Sequence, residues 1–127
     1  VVAQLRPYLT DAAEWVERAS SMARAGYRVL VARDPGSVAA VAGYRISENL
    51  IHGRFLYVDD LVTAEGRRGE GLGASLLREL SRIGTEEKCQ RLVLDTAAAN
   101  ENARRFYKRE GLQDIVVGFV KPLAVSK

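Results

Sequence analysis

The chain has 127 residues, 47% of them hydrophobic and 28% charged, which suits a single globular domain spanning 1–127 with one substantial core and excludes a disordered or fibrous chain. No apolar run approaches the ~20 residues of a membrane-spanning helix, the opening Val1 to Arg6 is too short for the apolar part of a signal peptide, and one cysteine cannot form an internal disulfide, so a soluble protein in a reducing cytoplasm is expected. A net charge of +3 favours an anionic partner, and the placing of Arg67-Arg68 and Arg104-Arg105 suits a polyanionic cofactor better than nucleic acid, with no membrane partner expected.

In chain order, Thr10 or Asp11 can cap a first helix, with Glu14 completing a capping box after Asp11. Ala12, Trp15, Val16, Ala19, Met22 and Ala23 share one face of it, and Gly26 supplies the stop. At that spacing Trp15 and Met22 read as core residues. Tyr27 to Arg33 and Val38 to Ile46 are strand-like, and the turn Asp34-Pro35-Gly36-Ser37 joins them as an antiparallel hairpin. A third strand from about Arg54 to Thr63, rich in β-branched and aromatic residues, extends the hairpin into a meander. By strand alternation Asp59 shares a face with Phe55 and Tyr57, and Asp60 faces the other way.

The meander runs into Gly66-Arg67-Arg68-Gly69-Glu70-Gly71-Leu72-Gly73-Ala74. After it Leu72, Leu76, Leu77, Leu80 and Ile83 form one helical stripe, so the glycines sit where a strand turns into a helix N-terminus. Glycines there let the backbone approach a ligand, and the first-turn N–H groups of the helix have no internal partners. Such a terminus binds anions, and Arg67 and Arg68 add charge that can meet a pyrophosphate. A P-loop is excluded because Ala74 and Ser75 follow Gly73 in place of Lys and Ser or Thr. Gly69-x-Gly71-x-x-Ala74 with Asp95 satisfies a dinucleotide fingerprint, but that fold opens with its glycines, whereas here more than half of the chain precedes them. A plain surface turn leaves the strand, paired arginines and helix start unexplained together.

Leu92-Val93-Leu94 then forms a short strand, parallel to the third strand because a helix connects them. Asp95 and Thr96 fall at its carboxyl end. Asn100 is a good N-cap for a helix over Glu101 to Arg109, stopped by Gly111. Ile115 to Val120 reads as a last strand. His52 and Cys89 are single members of their types, so no metal site is expected.

Two stretches carry a resemblance. Arg68-x-x-Gly71-x-Gly73 is similar to the acetyl-CoA signature of the GNAT superfamily of N-acetyltransferases. Asn100, Ala103, Tyr107 and Gly111-Leu112 match that superfamily's later motif, in the right order and at a suitable separation. With the meander, the resemblance covers residues 27–120 or so. It implies an α/β (α+β) fold: a mixed, mostly antiparallel sheet flanked by helices, with the family's first strand lacking a clear counterpart ahead of Tyr27. Glu65 stands where the family often has proline, and Glu70 where a basic or neutral residue is common.

The resemblance also implies a function: transfer of acetyl from acetyl-CoA directly to a primary amine of a small molecule or protein, with no metal. A non-catalytic acyl-CoA sensor of the same fold is the alternative, and a homodimer is compatible with either. The loop Arg67, Arg68, Gly69, Glu70, Gly71, Leu72, Gly73 and Ala74 would hold the pyrophosphate. The bulged backbone of Leu61, Val62 and Thr63 would hold the pantetheine arm, with Asn100, Ala103 and Tyr107 also on the cofactor. Tyr107 would protonate the departing thiolate, and a backbone N–H near Leu61 would stabilise the oxyanion. Asp59, in the slot where related sequences often carry Glu, is the first choice of base, with Asp60 and Glu48 behind it.

Overall fold

A computed structural model describes residues 25–34, 37–64, 66–67, 69 and 71–124. The expected first helix with Trp15 and Met22, any strand before it, the turn residues Pro35 and Gly36, and Glu65, Arg68 and Glu70 lie outside the described residues. The chain divides into two compact units, residues 1–94 and 95–127.

In the first unit, β1 (Arg28–Asp34), β2 (Ser37–Asn49) and β3 (Gly53–Thr63) form the antiparallel meander expected from the sequence. Helix α1 (Leu72–Glu86) follows, and β4 (Arg91–Leu94) adds to β3 in parallel, giving a four-stranded sheet in the order β1-β2-β3-β4. The turn closing β2 and β3 pairs Asn49 with Gly53, and Asn49 Oδ1 accepts from the backbone N–H of Ile51 and His52 at 3.0 and 2.7 Å. That side chain holds the chain reversal in the way an Asx turn does.

The core lies between α1 and the middle of the sheet. Ala40, Ala42, Leu56 and Leu80 are fully buried, with Val58, Leu76 and Leu77 beside them. β2 is buried without interruption from Ala39 to Tyr44, because it is the inner strand of the meander and small side chains let neighbours close over it. The alternation of β3 aims Leu56 and Val58 at α1, and the Leu56 side chain lies 3.7 Å from where a Cβ on Gly84 would sit. Arg54 ties the far end of α1 to the sheet. Its Nε donates to the Glu87 carbonyl at 2.6 Å and its Nη2 to the Glu87 carboxylate at 3.3 Å, supplying a cation where the helix leaves carbonyls without partners.

β2 and β3 do not run in uniform register. Gly43 pairs with Asp60 and Tyr44 with Val58, so Asp59 is one extra residue on β3, a β-bulge. Tyr27 crosses β2 at this point: a Cβ on Gly43 would come within 1.7 Å of the Tyr27 hydroxyl. Glycine is therefore required there by close approach.

The second unit contains α2 (Glu101–Arg109), with the bounds expected from the sequence. The expected last strand is corrected. Ile115 to Val120 joins no ladder among the described residues, and Phe119 and Val120 are 94% and 93% exposed. A β-branched run favours extended backbone, but a strand exists only where a neighbour supplies ladder hydrogen bonds.

Gly43→Ala should destabilise the protein by about 1–3 kcal/mol, the usual cost of forcing an extra methyl into a packed site. Urea unfolding of Gly43→Ala in the wild-type and Tyr27→Ala backgrounds checks this. The penalty should largely vanish without the tyrosine, and an equal penalty in both backgrounds would refute the contact.

Candidate active site

Gly66, Gly69 and Gly71 all have positive φ, and no atom would meet a Cβ within 4 Å at any of them. Gly71 is the N-cap of α1, at φ 76° and ψ 13° with no side-chain cap bond. A left-handed backbone rather than crowding explains glycine there, and the space beside it is open. The first helical bond runs from Ser75 N–H to the Gly71 carbonyl at 3.0 Å, so the N–H groups of Leu72, Gly73 and Ala74 precede the ladder of α1. No acidic side chain occupies the first turn. Arg67 sits in the loop with its N–H donating to the Ala64 carbonyl at 3.1 Å. A concentration of backbone donors with open space beside it fits an anionic group.

The ladder between β3 and β4 starts at Phe55↔Arg91 and ends at Val58↔Leu94, whereas β3 continues beside β2 as far as Thr63. From Asp59 onward β3 has no ladder partner in β4, which ends at Leu94. The end of that ladder coincides with the bulge, and the backbone of Leu61 and Val62 follows it on the way to the glycine loop.

The bulge also decides what stands on the sheet face opposite α1. Arg45 lies two residues from Gly43 along β2 and shares its face. Its Nε and Nη2 donate to the two oxygens of Asp59 at 2.9 and 2.8 Å, and its guanidinium lies 5.5 Å from the centre of the Tyr57 ring. The Tyr27 hydroxyl, over Gly43, donates to Asp60 at 2.9 Å. Consecutive aspartates thus serve one face, because the extra residue cancels the alternation. The expectation that Asp60 points away is corrected. The Asp59 bond raises the guanidinium pKa of Arg45, against a smaller opposing effect of burial. Arg45 and Tyr27 were absent from the sequence-derived site. The Arg45↔Tyr57 pairing was within reach, since it follows by counting back from Asn49↔Gly53. The bulge was not.

In the second unit, Asn100 caps α2: its Oδ1 accepts from Ala103 N–H at 3.0 Å. At the other end Leu112 N–H donates to the Tyr107 carbonyl at 3.0 Å and Gly111 N–H to that of Lys108 at 3.1 Å, with Gly111 at φ 94°. These two bonds are a Schellman motif. The spacing of Asn100, Ala103, Tyr107 and Gly111-Leu112 is thus the spacing of a nine-residue helix with both caps. Tyr107 is half-buried beside Phe106, ring centres 5.3 Å apart, and burial raises its hydroxyl pKa. The phenol therefore keeps its proton across the neutral range.

Among the described residues no three His, Cys, Asp or Glu side chains lie together as a metal-binding group. The His52 ring lies tilted against Phe55, centres 5.2 Å apart, and meets Arg91 at 3.1 Å through Nδ1. Glu48 is exposed near the β2–β3 turn, opposite Arg54. No helix among the described residues is long and apolar enough to cross a membrane.

Replacing Asn100 with Ala should cost about 1 kcal/mol by removing the cap. Amide exchange at Ala103 should accelerate in Asn100→Ala and stay slow in Asn100→Asp, which retains an accepting oxygen. Equal exchange in both variants would show that the cap contributes nothing.

Residues 3–112 match the acetyltransferase (GNAT) family model. The chain is 28% identical over 72 residues to the thialysine N-epsilon-acetyltransferase of Bos taurus, a match covering 57% of this chain and 42% of that enzyme. It is 26% identical over 106 residues to the glucosamine 6-phosphate N-acetyltransferase of Candida albicans, covering 82% of this chain and 69% of that one. A protein of Agrobacterium tumefaciens str. C58 assigned as an acetyltransferase superposes with TM-score 0.80 at 26% identity, over 96% of this chain and 88% of its own. AAC(6')-Iy, solved with the bisubstrate analogue CoA-S-monomethyl-acetylneamine, shares the fold with TM-score 0.78 at 18% identity, over 97% and 88%. By the extent of the family match, the mixed sheet and the glycine loop at a helix start, this chain belongs to the acetyltransferase (GNAT) family.

Proposed function

We propose that the chain transfers acetyl from acetyl-CoA to a primary amine of a small molecule or protein. One observation carries this reading: a loop of left-handed glycines with open space beside Gly66, Gly69 and Gly71 opens α1, and the N–H groups of Leu72, Gly73 and Ala74 stand ahead of the helical ladder. Such a row of donors suits the anionic end of a ligand. Acetyl-CoA supplies an acetyl group activated as a thioester. Arg67, Arg68, Gly69, Glu70, Gly71, Leu72, Gly73 and Ala74 hold its pyrophosphate, and the backbone of Leu61, Val62 and Thr63 lines its pantetheine arm. Asn100, Ala103 and Tyr107 are further cofactor contacts in this reading.

Asp59 and Asp60, flanked by Tyr27 and Tyr57, make a face that attracts a cationic amine. Asp59 accepts the amine proton directly or through water. Each carboxylate oxygen has a second acceptor site beyond the one that Arg45 uses, so the ion pair leaves that capacity in place. Tyr107, kept protonated by burial, donates to the departing thiolate, and a backbone N–H near Leu61 stabilises charge on the acetyl oxygen. The named acceptors of the bovine and Candida relatives support an amine as acceptor. A domain that binds acyl-CoA without turnover is the second reading, favoured by the engagement of both Asp59 oxygens with Arg45. Following free thiol with acetyl-CoA and a panel of amines separates the two. Saturable acetyl-CoA binding with no thiol release for any amine would favour the sensor.

Gly71→Asp should abolish acetyl-CoA binding in a folded protein, because a side chain and a negative charge enter a site that presents N–H groups. Unchanged affinity by calorimetry would remove the loop from the site. Tyr107→Phe should keep acetyl-CoA affinity but slow single-turnover transfer by roughly 10²–10⁴-fold, the worth of general acid catalysis. With a thioester whose thiol is more acidic the defect should shrink, whereas a defect of equal size for both would assign Tyr107 a positioning role.

A further inference from the structure

We infer that Arg45 is a specificity residue that binds an anionic group of the acceptor, so that the substrate class is amines bearing a carboxylate or phosphate. The inference rests on the acetyltransferase reading and names the acceptor for that same site. A guanidinium has five N–H donors in one plane. In Arg45, Nε and one hydrogen of Nη2 are directed at Asp59, which leaves three donors, two on Nη1 and one on Nη2. The Arg45 side chain is 42% exposed, whereas its Asp59 partner is 16% exposed. The fork is thus held by a carboxylate less exposed than itself, while the Arg45 side chain stays partly open to solvent with three donors remaining.

Two further contacts fix the orientation. The Tyr57 ring lies beneath the guanidinium at 5.5 Å, and Tyr57 is the direct cross-strand partner of Arg45. An arginine held by a bidentate carboxylate and an aromatic face has little rotamer freedom left to lose, so it binds an anion at lower entropic cost than a mobile surface arginine. Its location gives it a role in the acceptor site. The pair includes the bulged residue, one beyond the last β3–β4 pair Val58↔Leu94, and it shares a face with Asp60 and the Tyr27 hydroxyl. That face therefore presents carboxylates suited to an ammonium beside a guanidinium suited to an anion. A molecule with both groups complements it better than a simple amine or diamine.

The experiment uses matched acceptors: lysine against cadaverine, which lacks only the carboxylate, and O-phosphoethanolamine against ethanolamine, which lacks only the phosphate. Thiol release from acetyl-CoA is measured with each. In the wild type, kcat/KM should favour the anionic member of one pair by roughly 10- to 100-fold, the worth of a charge-assisted contact, and the preferred pair tells carboxylate from phosphate. Arg45→Gln should bring that ratio to one or below, since it removes the fork and frees Asp59 for a cationic acceptor. Arg45→Lys, which keeps the charge and guards against a folding defect, should give an intermediate ratio. No anionic preference in the wild type, or a preference that survives in Arg45→Gln, would overturn the assignment while leaving the acetyltransferase reading intact. Should no amine release thiol, that reading fails separately, and calorimetric titration of the same four compounds decides on Arg45. Tighter binding of an anionic member that is lost in Arg45→Gln supports the assignment, and equal binding of both members refutes it.

Discussion

One extra residue in β3 sets the arrangement of the first unit's candidate site. A regular strand would keep the side chains of β3 alternating to its end. The bulge at Asp59 bends and twists the strand, and the ladder with β4 stops one residue earlier. Two successive carboxylates therefore serve one sheet face, and beside them Gly43, the residue paired with Asp60, lacks a side chain where Tyr27 crosses. The fold tolerates the lost ladder bonds because the core is secured elsewhere, by Leu56 and Val58 against Leu76, Leu77 and Leu80.

Charge in this unit positions elements more than it stabilises them. Exposed ion pairs contribute about 0–1 kcal/mol each, and Arg82 with Glu79 and Glu86 on the outer face of α1 is of that kind. Arg54 and Arg45 differ in what they hold. Arg54 connects the start of β3 to the last turn of α1 and so fixes the approach to β4. Arg45 locks the bulged carboxylate with two bonds from one rigid fork. Both arginines lie on the β2–β3 hairpin, whose register Asn49 and Gly53 pin at the turn.

The second unit rests on different physics. A nine-residue helix is too short to be stable on propensity alone, and α2 has no fully buried residue. Its order depends on its ends: the Asn100 cap, Glu101 in the first turn, Lys108 and Arg109 in the last, and the Schellman bonds through Gly111. Lys108 and Arg104 add contacts to Asp114 at 3.1 and 3.4 Å, which hold that carboxyl below its ordinary pKa, Lys108 most of all. A motif that reads as a family signature is thus also the minimum set of residues that lets so short a helix exist and hold Tyr107 at a defined position along it.

The sequence by itself determined what depends on local chemistry. Apolar period placed α1, caps and glycines placed α2 within its observed bounds, and turn residues placed the meander. The glycine loop was legible as a helix start suited to an anion because each of those properties belongs to a few consecutive residues. Tertiary structure decided what depends on partners distant in the chain. Ile115 to Val120 has strand-like composition, but composition cannot supply a neighbouring ladder. Asp60 was assigned by alternation, which holds only while the register is regular, and the bulge is a property of β2 and β3 together. The bond between Arg45 and Asp59 spans fourteen residues, and that between Tyr27 and Asp60 spans thirty-three. No local pattern marks either pair, because only folding brings their side chains to one face.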